Sequence, residues 1–121
     1  MSSLRTRLRE ALPAAMRARD RAAVSALRGT LAALDNAEAV PVDAAPSAGA
    51  IEASPVGVGA AEAPRRALSE ADVVAVVRAE IEERQAAAAQ LTSPTHAERA
   101  ARLHAEAEVL RRLLDESEAT A

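Results

Sequence analysis

Residues 14–40, AAMRARDRAAVSALRGTLAALDNAEAV, decide how this chain is read. Val24, Leu27, Leu31 and Leu34 recur at spacings of three and four, which puts them on one face of a helix. Arg21 and Arg28, seven apart, share a face that flanks the stripe. Asp20 stands where an N-cap is needed, since its carboxylate can accept from first-turn amides that have no helical partner. The apolar pattern before Asp20 therefore belongs to a separate helix. With almost no loop between them, the two should pack as neighbours.

Upstream, the first helix is predicted from Ser3 to about Arg19, with Leu4, Leu8, Ala11/Leu12 and Ala15/Met16 as its buried stripe. Pro13 removes one amide donor and crowds the carbonyl four residues back, at a cost on the order of 3 kcal/mol. The apolar register carries across it, so a kink is expected rather than a break. The second helix is predicted from Arg21 to Ala39. Gly29 weakens its middle by roughly 1 kcal/mol relative to Ala, and reads as a tolerated position.

Downstream, residues 40–66 hold four prolines and three glycines without period, the composition of a flexible, irregular linker. Ser69 and Asp72 then form an S-x-x-D capping box, with Leu68 and Val73 at the positions of a hydrophobic staple. That helix should run to about Gln90, with Val73, Val74, Val77 and Ile81 inward, Ala88 further along, and Glu80–Arg84 paired on its exposed side. Ser93-Pro94 opens the last helix, which reaches about Glu116; Thr95 and Glu98 offer it a second capping box. Ala100, Leu103, Ala107, Leu110 and Leu114, extended by Leu113, make an a/d-like seam. Glu98–Arg102 and Glu108–Arg112 decorate its outer face, and the tail should fray. The expected fold is all-α: one domain, a small bundle of four main helices. Two helical hairpins, 1–39 and 67–116, are joined by the 40–66 linker and followed by a loose 117–121.

Composition narrows the chemistry. Of 121 residues, 34 are Ala and none is Phe, Tyr or Trp, so the core must come from small and aliphatic side chains. All fifteen basic residues are Arg. This bias reads first as the imprint of a G+C-rich genome and second as a means of phosphate or carboxylate recognition. The net charge of −3 is uneven: residues 1–40 carry seven Arg against four acids, and residues 67–121 six Arg against eleven. An acidic total argues against a general nucleic-acid binder, while the basic first third keeps a localised contact open. There is no Cys, hence no disulfide frame, thiolate metal site or cysteine nucleophile. The opening MSSLRTRLRE is no secretory signal and no segment is apolar enough to span a membrane, so the cytoplasm is expected.

No catalytic constellation converges. His96 and His104 are eight apart, about 80° from each other around a helix, and read as surface residues. Glu80, Glu82 and Glu83 cannot meet at one point from a single helix. Gly57 and Gly59 make only a lone G-x-G. The sequence thus reads as a non-enzyme without cofactor or metal. What remains is the basic set Arg5, Arg9, Arg17, Arg19, Arg21 and Arg28. The last four cluster at the first interhelical turn, where guanidinium groups could fork onto phosphate oxygens. Without aromatics there is no base stacking, so RNA would be met through backbone and shape. The alternative is a protein-interaction or scaffold domain with no RNA role, self-associating through the Leu103–Leu114 seam.

The run LRTRLREALPAAMRARDRAAVSALRGTLAALDNAEAV resembles the opening of the YqeY-like proteins. A leucine-paced helix there leads into an A-M-K-A-K-D-like turn and an L-R-x-x-x-A-A-x-x-N-x-E helix. Ala15, Met16, Arg17, Ala18, Arg19 and Asp20 match the turn, and Leu27, Arg28, Ala32, Ala33, Asn36 and Glu38 match the helix. Leu68, Ser69, Asp72 and Val73 are similar to the family's L-T/S-x-x-E/D-V segment, with Glu80 and Arg84 on the charged run after it. Relatives of that family include the tail domain of the B subunit of tRNA-dependent Glu/Asp amidotransferases, carbon–nitrogen ligases that use glutamine as amide donor. The resemblance implies an all-α, non-catalytic module with tRNA or an amidotransferase complex as partner, and Arg17, Arg19, Arg21 and Arg28 as the tRNA-facing set. The sequence departs from the family in its long linker and in Thr95-His96 where a G-R is expected. It also lacks a Y-L-P and second helical domain after LLDESEATA.

Overall fold

A computed structural model describes residues 3–39 and 67–120; the linker expected over 40–66 lies outside the described residues. Four helices account for nearly all of what is described: α1 (Leu4–Ala18), α2 (Arg21–Ala39), α3 (Glu70–Gln90) and α4 (Ala97–Ala119). A single 3₁₀ turn, Pro94–His96, leads into α4. The fold is all-α, with no strand among the described residues.

Local chemistry sets each helix boundary. Ser3 caps α1 by accepting from the Thr6 amide. Ser69 accepts from the Asp72 amide at 3.0 Å while Asp72 accepts from the Ser69 amide at 3.1 Å, closing the capping box ahead of α3. Before α4 the cap is Ser93, whose hydroxyl accepts from Thr95 at 3.3 Å. The Thr95–Glu98 box is not formed, because Pro94 already starts the turn one residue earlier. Helix α1 passes through Pro13 unbroken. Both Pro13 and Arg9, whose carbonyl loses its amide partner, are exposed, so water can take the freed acceptor. α4 does not fray at Glu116 but continues to Ala119. Arg78 bridges to Glu118 at 2.6 Å and Arg7 donates to the Thr120 hydroxyl at 2.9 Å, and these two contacts hold the last turn.

The core is built from leucine and small aliphatics. Leu4, Leu8, Leu27, Leu34 and Leu110 are completely or almost completely shielded, as is Val77. Each contributes about 1.5–3 kcal/mol relative to exposure. α4 is the hub: it packs along α3 most extensively, then along α2, and also meets α1. The seam expected on α4 is used inside the bundle, with Ala107, Leu110 and Leu114 buried and Leu113 packed against them.

Two stripes are displaced from the expected ones. On α2 the buried set is Ala23, Ala26, Leu27, Thr30 and Leu34, while Val24 and Leu31 are only partly buried. On α1 the inward row is Leu4, Leu8 and Ala15, with Ala11 and Leu12 packed against it, and Met16 is 48% exposed. Ala at the helix crossing permits close approach, and the longer Met is displaced to the rim. Thr30 is fully buried and its hydroxyl has no hydrogen-bond partner.

The contacts between hairpins define two ends. The Leu4 amide donates to Glu70 at 3.1 Å, joining the starts of α1 and α3. Arg5, also at the start of α1, bonds Glu38 at the end of α2. Arg78 and Arg7 reach the end of α4. These four helix termini therefore share one end. The α1–α2 corner and the α3–α4 connection share the other. No described helix is long and apolar enough to cross a membrane.

Candidate nucleic-acid interface

The α1–α2 corner is two residues long. Arg19 takes the left-handed conformation, φ 58°, the only non-glycine among the described residues to do so. Its amide donates to the Met16 carbonyl at 3.1 Å and the Asp20 amide donates to Ala15 at 3.0 Å, which closes the end of α1. Asp20 then caps α2, accepting from the Ala23 amide at 3.1 Å, as the sequence predicts. One residue thus serves the end of one helix and the start of the next, and the arginines around it are thrown outward.

Arg17, Arg19, Arg21 and Arg28 are all exposed. Arg19, Arg21 and Arg28 line one open groove of about 610 Å³, floored by Val24 and Ser25. Arg28 folds back to place Nη2 3.9 Å from Met16 Sδ, joining α2 to α1 across the corner. Arg17 is at the corner but does not line the groove. None of the four meets a carboxylate at ion-pair distance among the described residues. Their donors are available to phosphate oxygens, which guanidinium groups can engage in bidentate fashion.

Other arginines are committed inside the protein. Arg5, part of the basic set in the sequence, forks both terminal nitrogens onto Glu38 at 2.7 and 2.8 Å and adds Asp35 at 2.9 Å. The hydrogen bonding to Glu38 is the main cause of its raised pKa, with Asp35 adding to it. Arg9 is exposed on the outer side of α1.

Arg84 corrects a second expectation. Its expected pair with Glu80 forms, but largely buried between helices rather than on an exposed side. Nε donates to Glu106 of α4 at 2.8 Å, and Nη1 donates to the Glu80 carboxylate at 2.8 Å and carbonyl at 3.1 Å. Burial pulls its pKa down, but the bonds and charges of Glu80 and Glu106 together outweigh this and the net shift is upward. Glu106 is the buried acid that sequence spacing missed, with its side chain only 8% exposed. Gly29 supplies the room: a Cβ there would stand 2.9 Å from Arg84 Nη2. The end of the guanidinium lies directly over the glycine, so a β-carbon there would make it shift.

A second open groove, about 590 Å³, lies at the start of α4 along Thr95, His96, Arg99 and Arg102. Both His96 and His104 are exposed. Among the described residues no group of three or more His, Asp or Glu side chains is placed to hold a metal. Comparison of the chain with family models, with curated proteins and with solved structures returns no match.

Proposed function

We propose that this chain is a non-catalytic helical module that contacts the phosphate backbone of RNA through Arg17, Arg19, Arg21 and Arg28. The observation that carries the reading is the sorting of its arginines. Arg5 and Arg84 are held by internal carboxylates, whereas the corner arginines stand in solvent, three of them, Arg19, Arg21 and Arg28, along a common groove. Four cations face one acid, Asp20, at this corner, and that acid is engaged in capping. On a protein of net charge −3 such a patch is a local attractor for polyanions rather than a consequence of bulk charge.

The resemblance of the sequence to the YqeY-like proteins, whose relatives include the amidotransferase B-subunit tail, makes tRNA the first ligand to test, bound without catalysis. Self-association through the Leu103–Leu114 seam is the weaker alternative, because most of that seam is buried within the bundle.

The test is titration of labelled tRNA at about 50 and about 200 mM salt, where counterion release makes phosphate contacts strongly salt-dependent. A salt-dependent affinity that falls at least tenfold in Arg21→Glu/Arg28→Glu supports the reading. Absence of measurable binding at the lower salt would remove it.

A further inference from the structure

The α1–α2 corner holds one reactive side chain that phosphate contact does not use. Met16 is the only large apolar side chain to stand exposed among the described residues. Its Sδ lies 3.9 Å from Nη2 of Arg28, across the corner on α2. A thioether is a weak acceptor, so this contact restrains Arg28 only loosely. The arginine is left open to the groove that it lines with Arg19 and Arg21. Arg28 meets no carboxylate at ion-pair distance among the described residues.

We propose that Met16 is an oxidation site, and that its sulfoxide captures the Arg28 guanidinium and withdraws it from the corner groove. The oxidant is hydrogen peroxide. A lone pair of Sδ attacks one peroxide oxygen, and the O–O bond breaks as the S–O bond forms. The other oxygen leaves as water with both peroxide protons, so sulfur is oxidised and the peroxide reduced. The consequence for nucleic acid rests on the RNA-binding reading above and adds a means of regulating that same site.

Oxidation turns a flexible apolar side chain into a polar one, which disrupts a core when the methionine is buried. Met16 stands at the rim, outside the buried row of Leu4, Leu8 and Ala15, so the bundle should tolerate the added oxygen. What changes is the partner offered to Arg28. A sulfoxide oxygen carries partial negative charge, and a cationic donor already stands beside the sulfur that bears it. Hydrogen bonds with an ionised donor are roughly twice as strong as neutral ones. The groove then keeps Arg19 and Arg21 and loses the free end of Arg28. The change is reversible, because methionine sulfoxide is reduced enzymatically.

The full chain is treated with dilute hydrogen peroxide, and the tryptic peptide 10–17, which holds Met16 but not Met1, is weighed. It should gain one oxygen while the urea midpoint of the chain stays unchanged. The side-chain N–H signals of Arg28, followed by NMR, should shift on oxidation. Affinity for labelled tRNA should fall about fivefold and its salt slope by about one. Met16→Leu should be indifferent to peroxide, and Arg28→Ala should bind weakly beforehand and lose nothing more. A Met16 that resists peroxide, an unmoved Arg28 signal or a lowered midpoint would overturn the proposal. So would an equal fall in treated Met16→Leu or Arg28→Ala. If the untreated chain binds no tRNA yet the Arg28 signal moves, the RNA reading falls and the captured guanidinium stands. If it binds tRNA and oxidation leaves the affinity unchanged, the switch falls and the RNA reading stands.

Discussion

Where α1 begins, Arg5 is 16% exposed, forked onto Glu38 and bonded to Asp35. Where α1 turns into α2, Arg19, Arg21 and Arg28 project into solvent with no carboxylate in reach among the described residues. The same residue type is thus a cross-link at one end and a free cation at the other. What separates them is the neighbouring helix. Arg5 faces the acidic last turns of α2, whereas Arg19 sits on the two-residue connection and Arg21 and Arg28 on the solvent side of α2 beyond it, where no acid of another described helix meets them. In a chain without Lys, arginine has to fill both roles.

The sharpest way to break this comparison is to disarm an internal arginine. Glu106→Ala leaves Arg84 paired with Glu80 but strips Nε of its acceptor, and should cost about 2–3 kcal/mol of stability, read as a lower urea midpoint. Affinity of the folded protein for tRNA should not change. A normal midpoint would mean that the interior arginines are no more structural than the exposed ones. Arg5→Ala removes a bidentate pair nearer the surface and should cost about 1–2 kcal/mol, again without effect on RNA.

The corner set should behave in the opposite way. Arg19→Gly relieves a left-handed backbone that costs non-glycine residues about 1–2 kcal/mol, partly offset by glycine's greater unfolded freedom. The net expectation is a gain of roughly 0.5–1 kcal/mol, with RNA affinity weakened by loss of one cation. A destabilised variant would show that the Arg19 side chain is structural after all.

The smallest effect is expected from alkali. Arg5 and Arg84 are raised above the ordinary arginine value in the folded state, so their contribution is fully present below that ordinary value and is lost only as pH rises through the still higher folded values. With no Lys, Tyr or Cys in the chain, no other side chain titrates on the way. The urea midpoint should therefore be flat from about pH 8.5 to about pH 11. A slope in that window would contradict the paired arginines.

Much of this fold was legible because its signals are local. Asp20, Ser69 and Asp72 act on amides within three residues, and their roles follow from spacing alone. The helical stripes were legible only to within a fraction of a turn. Alanine is equally at home buried, as at Ala23 and Ala26, or exposed, as at Ala32 and Ala39, so an alanine-rich pattern does not say where a face is centred. Thr30, in register with Ala23, Ala26, Leu27 and Leu34, could have been placed inside by that spacing. The Arg84–Glu106–Gly29 contact was not legible, since it joins three helices across a long stretch of sequence. No periodicity reports which charged residue meets which gap.

That gap has a consequence for how the bundle finds a single arrangement. Sliding α2 by one turn would bring Thr30 or Glu38 to the fully buried place of Leu34. The same slip would bring Ser25 or Ala33 to where Gly29 now lies, and each carries a β-carbon that the Arg84 guanidinium would have to shift to accommodate. Leu34 in its buried place and the gap at Gly29 therefore favour the same register of α2.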